Sequence, residues 1–493
     1  NKHGEQTQEL LRLSHQALCK IPHRGGMSAE GIGDGAGVNI DLSLAFFRHL
    51  CGDNQLQLGQ FGVGNFFLPT SAAGFAEAEQ LIRATLANFS MPVLLWRKVP
   101  VNPEAVNAAS LNAQLPLYQV VFGCPQGTSD IEFFADQIDE ALLDIESPAF
   151  TRESLKGLYP LSMSCRTQVY KGRLNSWEVV PYFEDLSHPE HQVHTLFFHT
   201  RFSTNTAPNP MFAQPFRRMA HNGELNTDKK NRLSEDAIAR QSNKKVIFPP
   251  GQSDSARLDQ TLGRRVLEDR LDIDEAILAM MPPAWENDDS YSGDVRDMLE
   301  YFSLSEEKND GPAALIFSDG VKVGARLDRL GLRPLRSVQT ETYLAVMSEA
   351  GQIDFPAEDV ISRGRIEAGG MLVFNHQTSE LLESREVLQR LAGKRDYTLM
   401  LAQAKLRLDQ LPQKNLGDFS KYCASLPSEL AIPARHVGYG MNQESFKFLL
   451  DPMLQAGGEK ISAMGYGLAP NALAGEEGGM SRYFSQRFAQ VTN

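Results

Sequence analysis

Four short segments carry side chains that could do chemistry on a small charged molecule. In Arg201-Phe202-Ser203-Thr204-Asn205-Thr206, an arginine follows the apolar run Leu196-Phe197-Phe198. A guanidinium at a strand end can grip a carboxylate through two parallel hydrogen bonds. The same residues also read as a surface arginine beside a Ser/Thr turn. In His221-Asn222-Gly223-Glu224-Leu225-Asn226-Thr227, the Asn-Gly pair is a turn signal. The Asn222 amide and the Gly223 N–H could instead converge on one developing oxyanion, with glycine letting a substrate come close to the backbone.

The third segment is Gly251-Gln252-Ser253-Asp254-Ser255-Ala256-Arg257-Leu258-Asp259. Ser253 or Asp254 suits a helix N-cap ahead of a helix starting near Ala256. The Asp254 carboxylate could also receive a substrate ammonium group, and the two roles are compatible. The fourth is His23-Arg24-Gly25-Gly26 with Gly33-Asp34-Gly35-Ala36-Gly37. Tight turns explain these glycines, and no Gly-x-Gly-x-x-Gly follows a strand as a dinucleotide fingerprint requires.

Regular elements must hold these segments. Leu10, Leu11, Leu13, Ala17 and Leu18 give residues Gln8 to Lys20 the spacing of an amphipathic helix, ended by Pro22, Gly25 and Gly26. Ala76 to Phe89 has helical spacing too. Ile32 to Ile40 reads as a loop feeding a strand. Short β-like runs recur at Phe66–Pro69, Val93–Trp96, Leu117–Phe122, Thr195–His199, Ala313–Ser318, Val321–Ala325, Tyr343–Ser348 and Met371–Phe374. Asp319-Gly320 is the strongest hairpin signal in the chain. Interleaved strands and helices predict an α+β, layered sandwich. From Val387 to Lys421 the composition turns polar, helical and linker-like. A new character begins beyond Leu430 and stops at Val491-Thr492-Asn493 without a cap or polar tail, which reads as a cut inside a longer chain.

A chain of 493 residues suits about three domain-sized units. The net charge of −13, from 61 acidic and 48 basic residues, argues against a broad nucleic-acid surface but permits a local basic pocket. Cys19, Cys51, Cys124, Cys165 and Cys423 form no Cys-x-x-Cys pair, so zinc and iron–sulfur motifs find no support and a reducing compartment is expected. No apolar run nears the roughly 18 residues that span a bilayer, and the first residues do not read as a signal peptide. A soluble intracellular protein is expected.

Taken in order, the motifs carry a resemblance. His23-Arg24-Gly25, Arg201–Thr206, Gln214-Pro215-Phe216-Arg217, His221–Thr227, Ser253-Asp254-Ser255, Asp310-Gly311-Pro312-Ala313, Leu327-Asp328-Arg329 and Gly331-Leu332-Arg333-Pro334 resemble the class II glutamine amidotransferase region of glutamate synthases, which are N-terminal-nucleophile hydrolases. Tyr483-Phe484 and Phe488–Asn493 resemble the start of their central domain. The resemblance implies a four-layer αββα sandwich over residues 1–386, a helical linker over 387–430 and a truncated α/β central domain over 431–493. It implies that Arg201 binds the glutamine α-carboxylate and Asp254 its α-amine, that Asn222 and Gly223 form the oxyanion hole, and that His23, Arg24 and Gly25, with Gly33–Gly37, shape the pocket. The Arg329–Arg333 region is expected to be scaffold. Glutamine would be hydrolysed to glutamate, and the ammonia used for reductive amination of 2-oxoglutarate. FMN and an iron–sulfur cluster are expected in the full-length parent, not in this chain. The parent's partners would be its FMN domain and a small electron-donating subunit or ferredoxin, in cytoplasm or plastid stroma, without nucleic acid, membrane or a bound metal.

One departure bears on mechanism. The family's nucleophile is an N-terminal cysteine whose α-amine relays the proton, whereas this chain starts at Asn1. A short upstream segment is expected to be missing, and the chain as written is expected to be inactive as a glutaminase. Smaller departures are Asn209-Pro210-Met211-Phe212, Leu330 in place of the usual asparagine, and Met464-Gly465-Tyr466-Gly467. The alternatives are a non-catalytic glutamine-binding or scaffolding module, and a thiol hydrolase using Cys124 or Cys19.

Overall fold

Helix α1 (Gln8–Lys20) forms where the leucine spacing predicts it, with Leu11, Leu13, Ala17 and Leu18 buried. Pro22 cannot continue the helix and instead opens a 3₁₀ turn, Pro22–Arg24. The computed structural model describes residues 1–201, 208–224, 248–249, 251–406, 443 and 445–458. One unit begins at Asn1 and reaches Leu401; a second begins at Ala402. In the second, Ser445–Leu450 and Asp451–Ala456 are consecutive helical turns ended by Gly457.

In the first unit, α2 (Leu44–Cys51) and α3 (Ala72–Asn88) start at Ser43 and Ser71, whose hydroxyls accept the Phe46 and Gly74 N–H groups. That cap places the start of α3 before the Ala76 expected from spacing. The sequence reading passed over α4 (Ile131–Thr151), capped by Asp130, although Phe134, Ile138, Leu142, Ile145 and Ala149 make a buried stripe at helical spacing. Further along lie α5 (Asp254–Leu267), α6 (Ile273–Met280), α7 (Gly293–Ser305), α8 (Ser384–Ala392) and α9 (Tyr397–Ala404).

The strands are β1 (Ala36–Asp41), β2 (Phe61–Phe67), β3 (Val93–Lys98), β4 (Leu117–Gly123), β5 (Tyr159–Ser164), β6 (Thr167–Gly172) and β7 (Leu196–His199). They pair antiparallel into two sheets, β3-β4-β2-β5 and β6-β1-β7. After them come β8 (Met219–Gly223), β9 (Ala313–Ser318), β10 (Lys322–Leu327), β11 (Arg336–Thr340), β12 (Leu344–Met347), β13 (Val360–Arg365), β14 (Met371–Asn375) and β15 (Glu380–Glu383). These form the sheets β15-β14-β10-β9-β8 and β12-β11-β13. The Asp319-Gly320 hairpin joins β9 to β10, with Gly320 at φ 88°.

Period-two alternation decides which layer each face meets. On β4, Val120 and Phe122 pack with Ile82 of α3 and Phe134 and Ile138 of α4, while Val121 turns to Phe46 and Phe47 of α2. On β9, Leu315 and Phe317 share a core with Leu262, Ile277, Leu299 and Leu388 of α5 to α8. Helices outside and antiparallel sheets inside give the expected α+β four-layer order. The opposite face of β9, with Ala314 and Ile316, lines a cavity. The packed chain runs past the boundary read at 386, because Val387, Leu388 and Leu391 of α8 and Tyr397 of α9 are buried in the main core and only the polar residues of α8 face out. Residues 407–430 of the expected linker, and most of 431–493, lie outside the described residues.

Truncating Phe134, which is 0% exposed and meets the Phe122 ring edge-on, removes the anchor of α4. Phe134→Ala is expected to cost about 3–5 kcal/mol of stability. Urea unfolding should show a lower midpoint at an unchanged slope; an unmoved midpoint would contradict this packing.

Candidate active site

The cavity bounded by the open face of the β8–β15 sheet measures about 830 Å³. That lies within the roughly 300–1,000 Å³ usual for small-molecule sites. Apolar side chains on the sheet face (Ala314, Ile316, Val323, Leu372 and Phe374) make one wall. The polar wall contains Arg201, His221, Asn222, Gly223, Ser253, Asp254 and Ser255, together with His23 and Arg24. Residues from four distant segments therefore face one space.

Each is placed by a local cause. Arg201 follows β7, its N–H donating to His199 Nδ1 at 3.2 Å. Its own Nε is buried without a partner among the described residues. The Asn222-Gly223 pair does not make a turn: it ends β8, opposite Ala314 and Ala313 of β9. Gly223 has φ 152°, and a Cβ there would sit 1.8 Å from the Pro312 carbonyl oxygen, so backbone contact excludes every larger residue. Ser253 is the N-cap of α5, accepting the Ala256 N–H at 3.2 Å. Asp254 is the first helical residue, where the helix dipole favours an anion. The capping role is thus Ser253's, and Asp254 still reaches the cavity wall.

His23 and Arg24 both line the mouth and both pair with Glu349, at 3.1 Å for His23 Nε2. Gly25 closes the 3₁₀ turn through its N–H to Pro22 O and is not a lining residue; neither are Gly33, Gly35 and Gly37. Residues 202–207 and 225–227 of the motifs lie outside the described residues.

Several contributors escaped the sequence reading. The Gln214 amide clasps the backbone of His221, accepting its N–H at 2.7 Å and donating to its carbonyl at 3.1 Å. His199 Nε2 donates to the same carbonyl at 3.1 Å. His221 Nε2 shares a hydrogen bond with Ser255 Oγ, tying β8 to the start of α5. Arg333, expected to be scaffold, is a third guanidinium on the cavity wall, beside Arg201 and Arg24. Asp328 is the scaffold of that turn, accepting the N–H groups of Ala313, Leu330 and Leu332. A lone Gln before proline and an arginine in a Gly/Pro turn carry no local signal of these roles.

Residues 1–400 match the family described as class-II glutamine amidotransferases, and residues 434–493 match the glutamate synthase central domain. The chain belongs to the class-II glutamine amidotransferases. It is 30% identical to the ferredoxin-dependent glutamate synthase 2 of Synechocystis, covering 100% of this chain and 32% of that protein. It is 30% identical to the NADPH glutamate synthase large chain of Bacillus subtilis, over 99% of this chain and 32% of the relative. The NADH glutamate synthase of Saccharomyces cerevisiae is again 30% identical, over 100% of this chain and 24% of its own length. The chain thus spans about a quarter to a third of these relatives.

The described cysteines stand away from the amidotransferase cavity. Cys19, Cys51, Cys124 and Cys165 are free, and none lines it. Burial pushes the thiols of Cys19 and Cys51 up, and that of Cys165 to about 11, the reverse of activation. Among the described residues no three His, Cys, Asp or Glu side chains group to hold a metal ion or anchor a cluster.

Burial holds His221 and His199 of the wall in the neutral form. Burial, then His199 and Arg333, bring His221 down to about 3; burial brings His199 to about 4. The unfolded chain protonates them near 6.5 and the folded chain does not, so below pH about 6.5 stability falls as pH falls, toward the folded values. Each contributes up to about 1.4 kcal/mol per pH unit in that window. His191 and His376, also brought to about 4, act with the same sign. Urea unfolding at pH 7.5 and 5.5 should show this loss, reduced in His221→Gln; an identical loss in the variant would remove His221 from the account.

Proposed function

We propose that this chain is the glutaminase part of a glutamate synthase, binding glutamine in the cavity and releasing ammonia from its side-chain amide. The observation that supports it is one wall carrying an Arg201 Nε without a partner among the described residues, Asp254 at a helix start and the Asn222-Gly223 strand end. Arg201 would take the α-carboxylate, Asp254 the α-ammonium, and the Asn222 amide with the Gly223 N–H the tetrahedral oxyanion. His23 and Arg24, held by Glu349, would shape the mouth; Gly25 would set the turn that presents them.

The chemistry needs a thiol that attacks the amide carbon and a base that moves its proton to the leaving ammonia. With the α-amine of an N-terminal cysteine as that base, both come from one residue. No described cysteine reaches the cavity, which favours a second reading in which these residues alone bind glutamine without turning it over. In the first reading, residues 1–386 together with the packed helices α8 and α9 are the glutaminase domain, the residues from there to 430 a connection and 431–493 the opening of the next domain. FMN, an iron–sulfur cluster, the ferredoxin or small subunit, and 2-oxoglutarate amination would belong to the remainder of the synthase. No described helix is long and apolar enough to cross a membrane, and a rice relative is chloroplastic. Cytoplasm or plastid stroma is the proposed location.

Two measurements separate the readings. Calorimetry should detect glutamine binding to the 493-residue chain. Arg201→Ala or Asp254→Ala should weaken it about 10- to 100-fold, the worth of one charged hydrogen-bonded contact. Glutaminase activity should be negligible in this chain and appear when an N-terminal cysteine segment of the family type is placed before Asn1. Binding without any gain in turnover would leave the binding module; a folded sample that binds no glutamine would end both readings.

A further inference from the structure

Lys171 sits in the interior of β6, opposite Gly37 of β1, and is 1% exposed. A Cβ on residue 37 would lie 2.5 Å from the Lys171 Cβ, so the glycine leaves the space that the lysine stem occupies. Burying an ammonium costs several kcal/mol unless it is paired and hydrogen-bonded. No carboxylate bonds to this one among the described residues. Its Nζ donates to the carbonyls of Ala213 at 2.6 Å, Met211 at 3.1 Å and Pro215 at 3.5 Å. It lies 5.3 Å from the Phe216 ring centre and 5.8 Å from that of Tyr159. Burial pulls its pKa down to about 7, and the ammonium and the amine both donate N–H bonds to those oxygens.

Three carbonyls of one short loop thus converge on one nitrogen, and that loop leads directly into β8. It also carries Gln214, whose amide clasps His221 on both backbone groups. From the β1 side, Asn39 Nδ2 donates to the Phe216 and Arg217 carbonyls at 3.1 and 2.8 Å. The next residues after His221 are Asn222 and Gly223. The chain of contacts runs from Lys171 to the loop, from the loop through Gln214 to His221, and from there to the oxyanion pair.

We propose that Lys171 is a positioning residue for the oxyanion hole, fixing the 211–215 loop so that Gln214 holds the end of β8 in the geometry that stabilises the transition state. This rests on the glutaminase reading, but half of its test does not. In the folded 493-residue chain, Lys171→Met should speed hydrogen exchange about tenfold or more across residues 208–224, where local opening is released. Exchange in the β2–β4 sheet should stay as it was. In the form carrying the N-terminal cysteine, the same change should lower kcat about 100-fold, as a displacement near 1 Å does. Glutamine affinity of the 493-residue chain should stay within about threefold, because Arg201 and Asp254 are untouched.

Unaltered exchange in 208–224, or a rise spread evenly over the sheets, overturns the proposal, and so does a loss of affinity that matches the loss of kcat. If Lys171→Met does not fold, Gln214→Met breaks the next contact in the chain. It must give the same local exchange and the same kcat loss, and its failure to do so also overturns the proposal. An absence of glutaminase activity in the parent would count against the function alone, since the exchange result stands without it.

Discussion

The structure turns on how the outer edge of β8 is satisfied. This strand is five residues long and, among the described residues, sits at the end of its sheet with β9 on one side only. A buried strand edge with bare N–H and C=O groups is costly, and an exposed one invites foreign strands. Here a side chain replaces the absent neighbour: the Gln214 amide has the same donor and acceptor as a peptide group, and it meets both backbone groups of His221. Strand alternation puts Gly223 on the same outer edge as His221 while Asn222 faces β9, and both residues line the cavity.

That solution moves the burden onto the loop bearing Gln214, and the loop is held by buried charge. Asp259 of α5 accepts the N–H groups of Arg217, Arg218 and Met219, Lys171 gathers carbonyls ahead of them, and Arg217 pairs with Glu146 of α4. Burial raises the Asp259 pKa even against those donors. An apolar replacement of such groups is often neutral or stabilising. Their number around one loop therefore points to placement, not to net stability. Arg326 repeats the device elsewhere, spending a fully buried guanidinium on the carbonyls of Met281 and Gly369. The stability of the fold rests instead on the clusters of Leu, Ile and Phe between the sheets and helices.

What could be read from the sequence was local or motif-borne. The leucine spacing of α1 and the Asp319-Gly320 hairpin are local signals, and the structure keeps both. The Asn-Gly pair misled as a local signal, because its glycine answers a contact with Pro312, far along the chain, and not a turn. The family motifs led to Arg201, Asn222, Gly223 and Asp254, and these do share a cavity. Gln214 lay within a quoted motif without a role, and Lys171 within a strand that was not recognised. Their roles depend on partners 7 and 42 residues away that only the fold brings near. The interior of α4 was missed although its stripe is regular, since Glu146 and Pro148 interrupt it to the eye. The boundary at 386 followed composition, while α8 hides its apolar side.

The same wall constrains the order of events in the proposed reaction. Burial keeps His221 and His199 neutral well below neutral pH, and His199 and Arg333 add to the effect at His221. A group with a pKa near 3 or 4 is a poor base toward a thiol at pH 7, since proton transfer works best when the pKa lies close to the working pH. His221 moreover spends one nitrogen on Ser255 and His199 one on the His221 carbonyl, so their hydrogen bonds fix backbone and cap. In the proposed reaction neither His221 nor His199 would carry the proton, and the carrier would arrive with the nucleophile. An α-amine of pKa about 8, attached to the attacking cysteine, meets that demand without any further residue on the wall. In the proposed reaction the cavity would supply charge recognition and oxyanion donors, and a residue carrying both thiol and amine would supply the rest.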